Sequence, residues 1–505
     1  MAKFYLTTAI DYSNGDPHLG HALEKVGADA IARYRRLRGD QVHFLMGMDE
    51  HAQSVIQAAA ERGITPQEWA DQMADRFSLF WDRLHCSHDD WIRTTEPRHH
   101  TAVHALFRQI VARNPEDIYL GEYEGLYCSG CEEYKPDSQI ADGRCVEHPT
   151  LELVTTREEN HFFRLSRYRD SLYQLIQSGE FKVEPAIRRN EVLRLLEQGL
   201  EDISISRSKF PWGVPFPDSP GHTVYVWFDA LINYLSATGF PDPGHERLWP
   251  ADWHIIGKGI TRFHCIIWPA MLLAAGLPLP RGVWAHGYVQ WEGAKMSKTA
   301  GTAVDLDGAI ARHGPEALRY FLLREIGYEQ DGNFTWERFD ERYTADLADG
   351  LGNLVSRSLA MLAKYRGGVI PAGPDTELDK TGRSVLSQYA AAMDRFELRG
   401  AAETAWSLVG AANQFIVQRA PWALAKAGQD EELDLVLAAL GRCLSRLAVM
   451  AEPFLPEIAT AIWTSLGAEG RPEAAAWAAA DDPPVAGLRS IRAPILFPKP
   501  EVGSE

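Results

Sequence analysis

Cysteine is scarce, with 6 in 505 residues, too few to staple a chain of this length as a disulfide scaffold. Uninterrupted apolar runs of about 18 residues, the length that spans a bilayer, are missing. The opening segment Met1-Ala-Lys-Phe-Tyr-Leu-Thr-Thr-Ala-Ile10 also lacks a secretory apolar core. These absences lead to the expectation of a soluble, cytoplasmic protein that keeps its thiols reduced and does not engage a membrane. Positive charge is short as well: 51 Lys and Arg stand against 69 Asp and Glu, a net charge of −18. Such a chain has no general affinity for phosphate backbones. Any RNA must be read through a local basic strip, base stacking or base-edge hydrogen bonds. No internal repeat is visible. What is there is an ordinary globular composition, 45% hydrophobic and 24% charged, with length for about three domains.

The first fifty residues carry a nucleotide-binding pattern. Phe4 to Ile10 is a β-branched and aromatic run, and Asp11-Tyr-Ser-Asn-Gly-Asp-Pro17 is a turn-forming segment. Leu19, Leu23, Val26, Ala30, Tyr34 and Leu37 then recur every three or four residues up to Gly39, and Val42 to Met46 is strand-like again. This predicts a βαβ unit whose helix amino terminus, at the carboxyl end of the first strand, favours a phosphate. His18-Leu-Gly-His21 occupies that turn. The i,i+3 spacing puts both imidazoles on one face, and Gly20 lets a nucleotide approach the backbone.

Far along the chain, Lys295-Met-Ser-Lys298-Thr299 lies between strand-like Val283-Trp-Ala-His-Gly-Tyr-Val289 and a helical segment. Its two lysines and two hydroxyls suit a loop that neutralises charge on a leaving pyrophosphate. Between these motifs, Cys128-Ser-Gly-Cys131 and Cys145-Val-Glu-His148 form CxxC and CxxH pairs, a three-thiolate, one-imidazole set for a single structural zinc. Cys86, Cys265 and Cys443 stand alone and read as small core residues.

HLGH followed by KMSKT resembles the signature pair of class I aminoacyl-tRNA synthetases. Ala9-Ile-Asp-Tyr12, Met48-Asp-Glu-His51, Tyr225-Val-Trp-Phe-Asp-Ala230, Ile260-Thr-Arg-Phe-His-Cys-Ile-Ile-Trp268 and Trp422 extend the likeness over nearly the whole chain. It is closest to bacterial methionyl-tRNA synthetases with a single zinc knuckle. The resemblance implies a methionine–tRNA ligase that uses Mg2+-ATP. It implies a methionine pocket of Ile10, Tyr12, Trp227, Ala230, Leu231, Tyr234, Ile260, Phe263, His264 and Trp268, with Asp49 on the substrate ammonium. For ATP it implies His18, Gly20, His21, Lys258, Lys295, Ser297 and Lys298, of which His18, His21, Lys295 and Lys298 act on the phosphates. Aromatic walls suit a thioether, which is polarizable and a weak acceptor. Two positions depart from the family: Ala52 where Gly is frequent, and Gly259 where an acidic residue is frequent. No ribose carboxylate is therefore assigned.

After Gly332 the pattern turns to long helices. Leu347, Leu351, Leu354, Val355, Leu359 and Leu362 form one stripe of a helix over 346–365, with Asn353 and Arg357 on the other face. Beyond the Gly-Pro-rich 367–374, Ala-rich helices run to about Leu466. By resemblance, Asn353, Arg357 and Trp422 read the CAU anticodon of initiator and elongator tRNA(Met).

The expected architecture is α/β. A Rossmann-type parallel-sheet catalytic domain occupies 1–115 and 223–332, a connective insertion with the zinc knuckle 116–222, and an all-α anticodon-binding bundle with its tail 333–505, in a monomer. Three alternatives stay open at this level. Another class I synthetase with an apolar substrate usually has a larger editing insertion. A small-molecule nucleotidyltransferase of the HxGH type has no use for the helical third. A non-catalytic zinc-containing tRNA-binding module does not need both nucleotide loops.

Overall fold

The computed structural model describes residues 2–13, 15–130, 133–135, 139–146, 149–208, 210–291, 294–295, 306–475 and 477–498. Its centre is a parallel sheet of β1 (Lys3–Thr8), β2 (Asp11–Tyr12), β3 (Gln41–Asp49), β4 (Asp90–Arg93), β5 (Lys182–Glu184), β6 (Trp253–Gly257) and β7 (Gly282–His286). The spatial order is β5-β7-β6-β1-β3-β2, with β4 also on β3, and every pair is parallel. The last five residues of β1 are buried, as expected of a strand covered on both faces. The chain leaves β1 toward β3 and β4 on one side and returns to β6 on the other. The carboxyl ends of β1 and β6 therefore flank a switch point, where α/β sheets open a ligand crevice.

The first helix, α1 (Leu19–Leu37), returns from β1 to β3, and Leu19, Leu23, Val26, Ala30, Tyr34 and Leu37 are all buried. The predicted stripe is real but incomplete, because α1 also buries Glu24, Lys25, Asp29 and Arg33. Gly27 lies on a face where a Cβ would come within 2.3 Å of the Tyr328 ring.

The expected 116–222 insertion contains the antiparallel strands Ile118–Cys128 and Val154–Phe163, paired from Ile118↔Phe163 to Tyr127↔Val154. Within the same segment, Lys182–Glu184 is the parallel edge strand of the central sheet, on β7. The catalytic sheet thus draws on that segment too, through a strand too short to show a pattern of its own. Similarly, the single strand expected over Val283–Val289 is two. β7 ends at His286, and Val289–Trp291 pairs with Gly332–Phe334 in a separate sheet. At the break, a Cβ on Gly287 would come within 2.2 Å of the Gln330 backbone. Only glycine allows two backbones to pass so closely.

Helices Glu377–Asp394, Leu398–Arg419, Asp430–Ala451 and Pro456–Ser465 form the bundle of the carboxyl-terminal third. The helix expected over 346–365 begins as a π-helix, Tyr343–Gly352, and becomes α-helical from Asn353 to Arg366. In the wide turns a Cβ on Gly350 would be 3.0 Å from the Ala345 carbonyl, and one on Gly352 would be 3.1 Å from that of Leu347. Glycine relieves this i−5 crowding.

One apolar cluster runs from α1 through the helix Pro315–Arg324 into the bundle, and a buried ionic junction crosses it. Arg319, at 0% exposure, donates to Asp29 (2.7 Å) and to the carbonyls of Leu84, Pro453 and Phe454. Arg33 joins Asp29 (2.8 Å) to Glu452 (3.0 Å). Burial pushes the Asp29 carboxyl up, but Arg33 and Arg319 outweigh it and hold it well below the usual carboxylate range. Removing one partner of a buried pair costs about 3–5 kcal/mol. Arg319→Ala is therefore expected to lower the denaturant midpoint of unfolding sharply, whereas Arg399→Ala, at an exposed i,i+4 pair with Glu403, shifts it little. Equal shifts for the two variants contradict this account.

Candidate active site

A cavity of about 220 Å³ opens at the switch point. Ala9 and Ile10 follow β1, Asp49 ends β3, Gly257 ends β6, His286 ends β7 and Gly287 follows it, and all of them border it. His18 caps α1. Its Nδ1 accepts the backbone N–H groups of Gly20 (3.1 Å) and His21 (3.4 Å), while His21 Nδ1 accepts the N–H of His18 (3.3 Å). The two rings stack with centroids 3.7 Å apart. A neutral imidazole that accepts at Nδ1 carries its proton on Nε2. Both histidines are thus set as Nε2–H donors beside the positive end of α1.

The opposite end is apolar. Tyr12 meets Trp227 edge-on at 5.6 Å, and Ala230, Leu231, Tyr234 and Ile260 complete the wall. The hydroxyl of Tyr234 pairs with His264 Nε2 (2.7 Å), and His264 Nδ1 with the Ile260 carbonyl (3.0 Å). A carbonyl only accepts, so Nδ1 carries the proton and Nε2 receives the tyrosine O–H. His264 lies in a π-helical turn, Phe263–Ile267, a feature frequent at functional sites. Burial lowers its pKa from 6.5 to about 4, so it is neutral near pH 7.

Of the residues expected from sequence, His18, Gly20, His21, Ile10, Tyr12, Asp49, Trp227, Ala230, Leu231, Tyr234, Ile260 and His264 border this one cavity. Phe263 and Trp268 stand behind it. Phe263 stacks on Trp227 at 3.7 Å, and the fully buried Trp268 donates to His254 Nε2 (3.2 Å), whose ring lies 4.2 Å from that of Tyr234. They support the wall without forming its surface. Lys258 also does not border the cavity. Its ammonium is held by both oxygens of Asp331 at 2.7 Å, a partner far away in sequence. Lys295 ends the strand Ala294–Lys295, and its side chain is outside the description. Ser297, Lys298, Cys131 and His148 lie outside the described residues.

The sequence reading missed the charged floor. Lys25 Nζ bonds the Ala9 carbonyl (2.6 Å), Glu24 (2.8 Å) and Asp11 (2.9 Å), and Glu24 meets His286 at 3.1 Å. Burial pushes the Glu24 carboxyl up, but Lys25 and His286 bring it down to about 2. Burial wins at Asp11, raised to about 6 against the pull of Lys25. Also missed were Asn233, Gly257 and Tyr288 on the cavity border. Asn233 lies three residues beyond the Tyr225–Ala230 motif, the one signal that pointed to it.

Elsewhere, Cys128 and Cys145 are buried at the ends of Ile118–Cys128 and Arg144–Cys145. Cys86, Cys265 and Cys443 are buried, and burial raises each thiol pKa. Asn353 is exposed, and Trp422 is 48% exposed, too open to serve as core packing.

The family model described as tRNA synthetases class I (M) matches residues 4–150 and 142–359. That described as the anticodon binding domain of methionyl tRNA ligase matches 368–502. The chain belongs to the methionyl-tRNA synthetase family. The methionine–tRNA ligase of Listeria innocua is 43% identical over 92% of this chain and 73% of that protein. That of Brucella suis is 42% identical over 90% of each. Mycobacterium tuberculosis methionyl-tRNA synthetase in complex with methionyl-adenylate superposes with a TM-score of 0.94, at 39% identity over 99% of this chain and 100% of that one. In this synthetase the expected parallel-sheet domain and helical anticodon-binding domain are both present. No helix of the described residues is long and apolar enough to cross a membrane.

The buried neutral histidine gives a signed pH expectation. Between pH 6.5 and about 4 the unfolded chain binds a proton at residue 264 that the folded chain refuses, so stability falls as pH falls through that window. His264→Gln removes this loss. The melting-temperature deficit of the variant should therefore shrink on going from pH 7 to pH 5; a deficit that stays constant or grows refutes a buried neutral His264.

Proposed function

We propose that the cavity holds methionine and ATP end to end and joins them. The observation that carries this reading is the continuity of one cavity, from the Tyr12–Trp227–His264 slot, past Asp49, to the two histidines at the amino end of α1. As a methionine–tRNA ligase, the chain activates methionine with ATP and transfers it to tRNA. The side chain of methionine fills the aromatic slot, and Asp49 pairs with its ammonium. The carboxylate then lies toward the phosphates, attacks the α-phosphorus and releases pyrophosphate, leaving methionyl-adenylate. His18 and His21 donate Nε2–H to the phosphates, and Lys295 and Lys298 add positive charge, with Ser297 and Lys258 as further ATP contacts. All act by positioning and by stabilising charge, without a covalent enzyme intermediate. Mg2+ enters with ATP. In the second step the terminal ribose hydroxyl of tRNA attacks the adenylate carbonyl and AMP leaves.

The neutral His264 with both ring nitrogens engaged offers no charge to the slot, so selection there rests on shape and polarizability. Asn353, Arg357 and Trp422 read the CAU anticodon of initiator and elongator tRNA(Met). The exposed indole is available for stacking, and the amide and guanidinium for base edges. Cys128, Cys131, Cys145 and His148 hold one structural zinc. In support, Cys128 and Cys145 are buried, each at the end of a strand, in a largely polar segment. The protein works as a monomer in the cytoplasm.

The two activities should separate. His21→Ala should slow methionine-dependent pyrophosphate exchange by orders of magnitude while leaving the methionine Kd nearly unchanged. Trp422→Ala should spare exchange but reduce aminoacylation of CAU tRNA about 5- to 150-fold, from about 1–3 kcal/mol of stacking. Parallel loss of both activities in Trp422→Ala would make the indole a structural residue.

Elemental analysis should find about one zinc per chain. Cys131→Ala should lose it together with part of the stability of the segment, because metal binding and folding share one free energy in such sites. A zinc-free protein that is folded and active contradicts the assignment.

A further inference from the structure

Gly259 follows Lys258 on the rim of the cavity, and its backbone does not require glycine, since it is not among the positive-φ positions. What requires glycine is a neighbour. A Cβ placed at 259 would lie 2.1 Å from the Tyr288 hydroxyl oxygen but 3.4 Å from its Cζ. The tyrosine oxygen therefore occupies the space of a residue-259 side chain. Both residues border the polar end of the cavity, with Gly257, His286 and Gly287.

Tyr288 is held in that position. Its backbone N–H donates to Asp331 (2.9 Å), the same carboxylate that takes the Lys258 ammonium. That ammonium stands 4.6 Å from the centre of the Tyr288 ring, a cation–π distance. With Lys258 against the ring, the hydroxyl lies beside Gly259, and both residues border the cavity.

A neutral hydroxyl that both donates and accepts matches another hydroxyl better than it matches a phosphate, for which His18, His21 and α1 already provide donors. We infer that the Tyr288 hydroxyl, in the space vacated at Gly259, hydrogen-bonds a ribose hydroxyl of ATP. The inference rests on the reading that the nucleotide occupies this end of the cavity. Gly259 is then the specificity-determining partner of Tyr288, because any side chain there displaces the oxygen.

The test is methionine-dependent pyrophosphate exchange with ATP, 2′-deoxy-ATP and 3′-deoxy-ATP. Tyr288→Phe should raise the KM for ATP about 2- to 12-fold, the size of one neutral hydrogen bond, and leave the KM for methionine unchanged. Wild type should discriminate against one deoxynucleotide by a similar factor, and the variant should not. Gly259→Ala should reproduce the ATP defect in wild type yet add nothing in the Tyr288→Phe background, where the ring carbon at 3.4 Å tolerates a methyl group; such non-additivity reports a shared contact. The inference is overturned if Tyr288→Phe keeps the wild-type discrimination, or if Gly259→Ala is equally harmful in both backgrounds. His21→Ala in the same assay separates the two levels. If it impairs use of ATP while Tyr288→Phe does not, only the ribose contact fails. If neither impairs it, the placement of the nucleotide fails as well.

Discussion

The structure depends on charges buried along a single helix. α1 has ionic groups on turns that face protein on every side, and each is balanced by a partner from elsewhere in the chain. Near the cavity, Lys25 lies between Asp11 and Glu24; one turn further on, Asp29 lies between Arg33 and Arg319. Buried ion pairs contribute little net stability, but leaving one member unpaired is costly. The arrangement therefore favours one packing of α1 against the sheet, the helix Pro315–Arg324 and the bundle. The two histidines that cap α1 inherit that fixed position.

The cavity takes its character from how hydrogen bonds consume its polar atoms. At the apolar end His264 gives its proton to the Ile260 carbonyl and its lone pair to Tyr234. At the polar end the capping bonds of His18 and His21 engage their Nδ1 atoms and leave the proton of each neutral ring on Nε2. The same side chain is thus neutralised in one place and made a donor in the other, according to the backbone groups nearby.

Glycine decides three local features through close approach. Gly27 admits the Tyr328 ring, Gly287 lets β7 pass the Gln330 backbone, and Gly259 admits the Tyr288 hydroxyl. A π-helical segment carries His264 and another leads into Asn353. These are places where the local preference for regular structure yields to a tertiary contact.

The sequence by itself determined what periodicity and spacing can encode. The first βαβ unit, the helical carboxyl-terminal third, the HLGH cap at a helix start and most of the residues around the aromatic slot were legible, because each is a pattern within a few turns of chain or a motif with a known partner motif. Tertiary structure alone decided the rest. Glu24 meets His286 across 262 positions, and Arg33 meets Glu452 across 419; no window on the sequence contains both members. Lys258 pairs with Asp331 across 73 positions, and Phe263 stacks on Trp227 while Trp268 bonds His254; none of these pairings can be read from a motif. A three-residue strand such as β5 is too short to carry a period and is specified by the sheet edge it completes. Gly259 reads in sequence only as a missing side chain; the oxygen that fills its space belongs to a tyrosine on the other side of a sheet crossover, brought there by packing that spacing does not record.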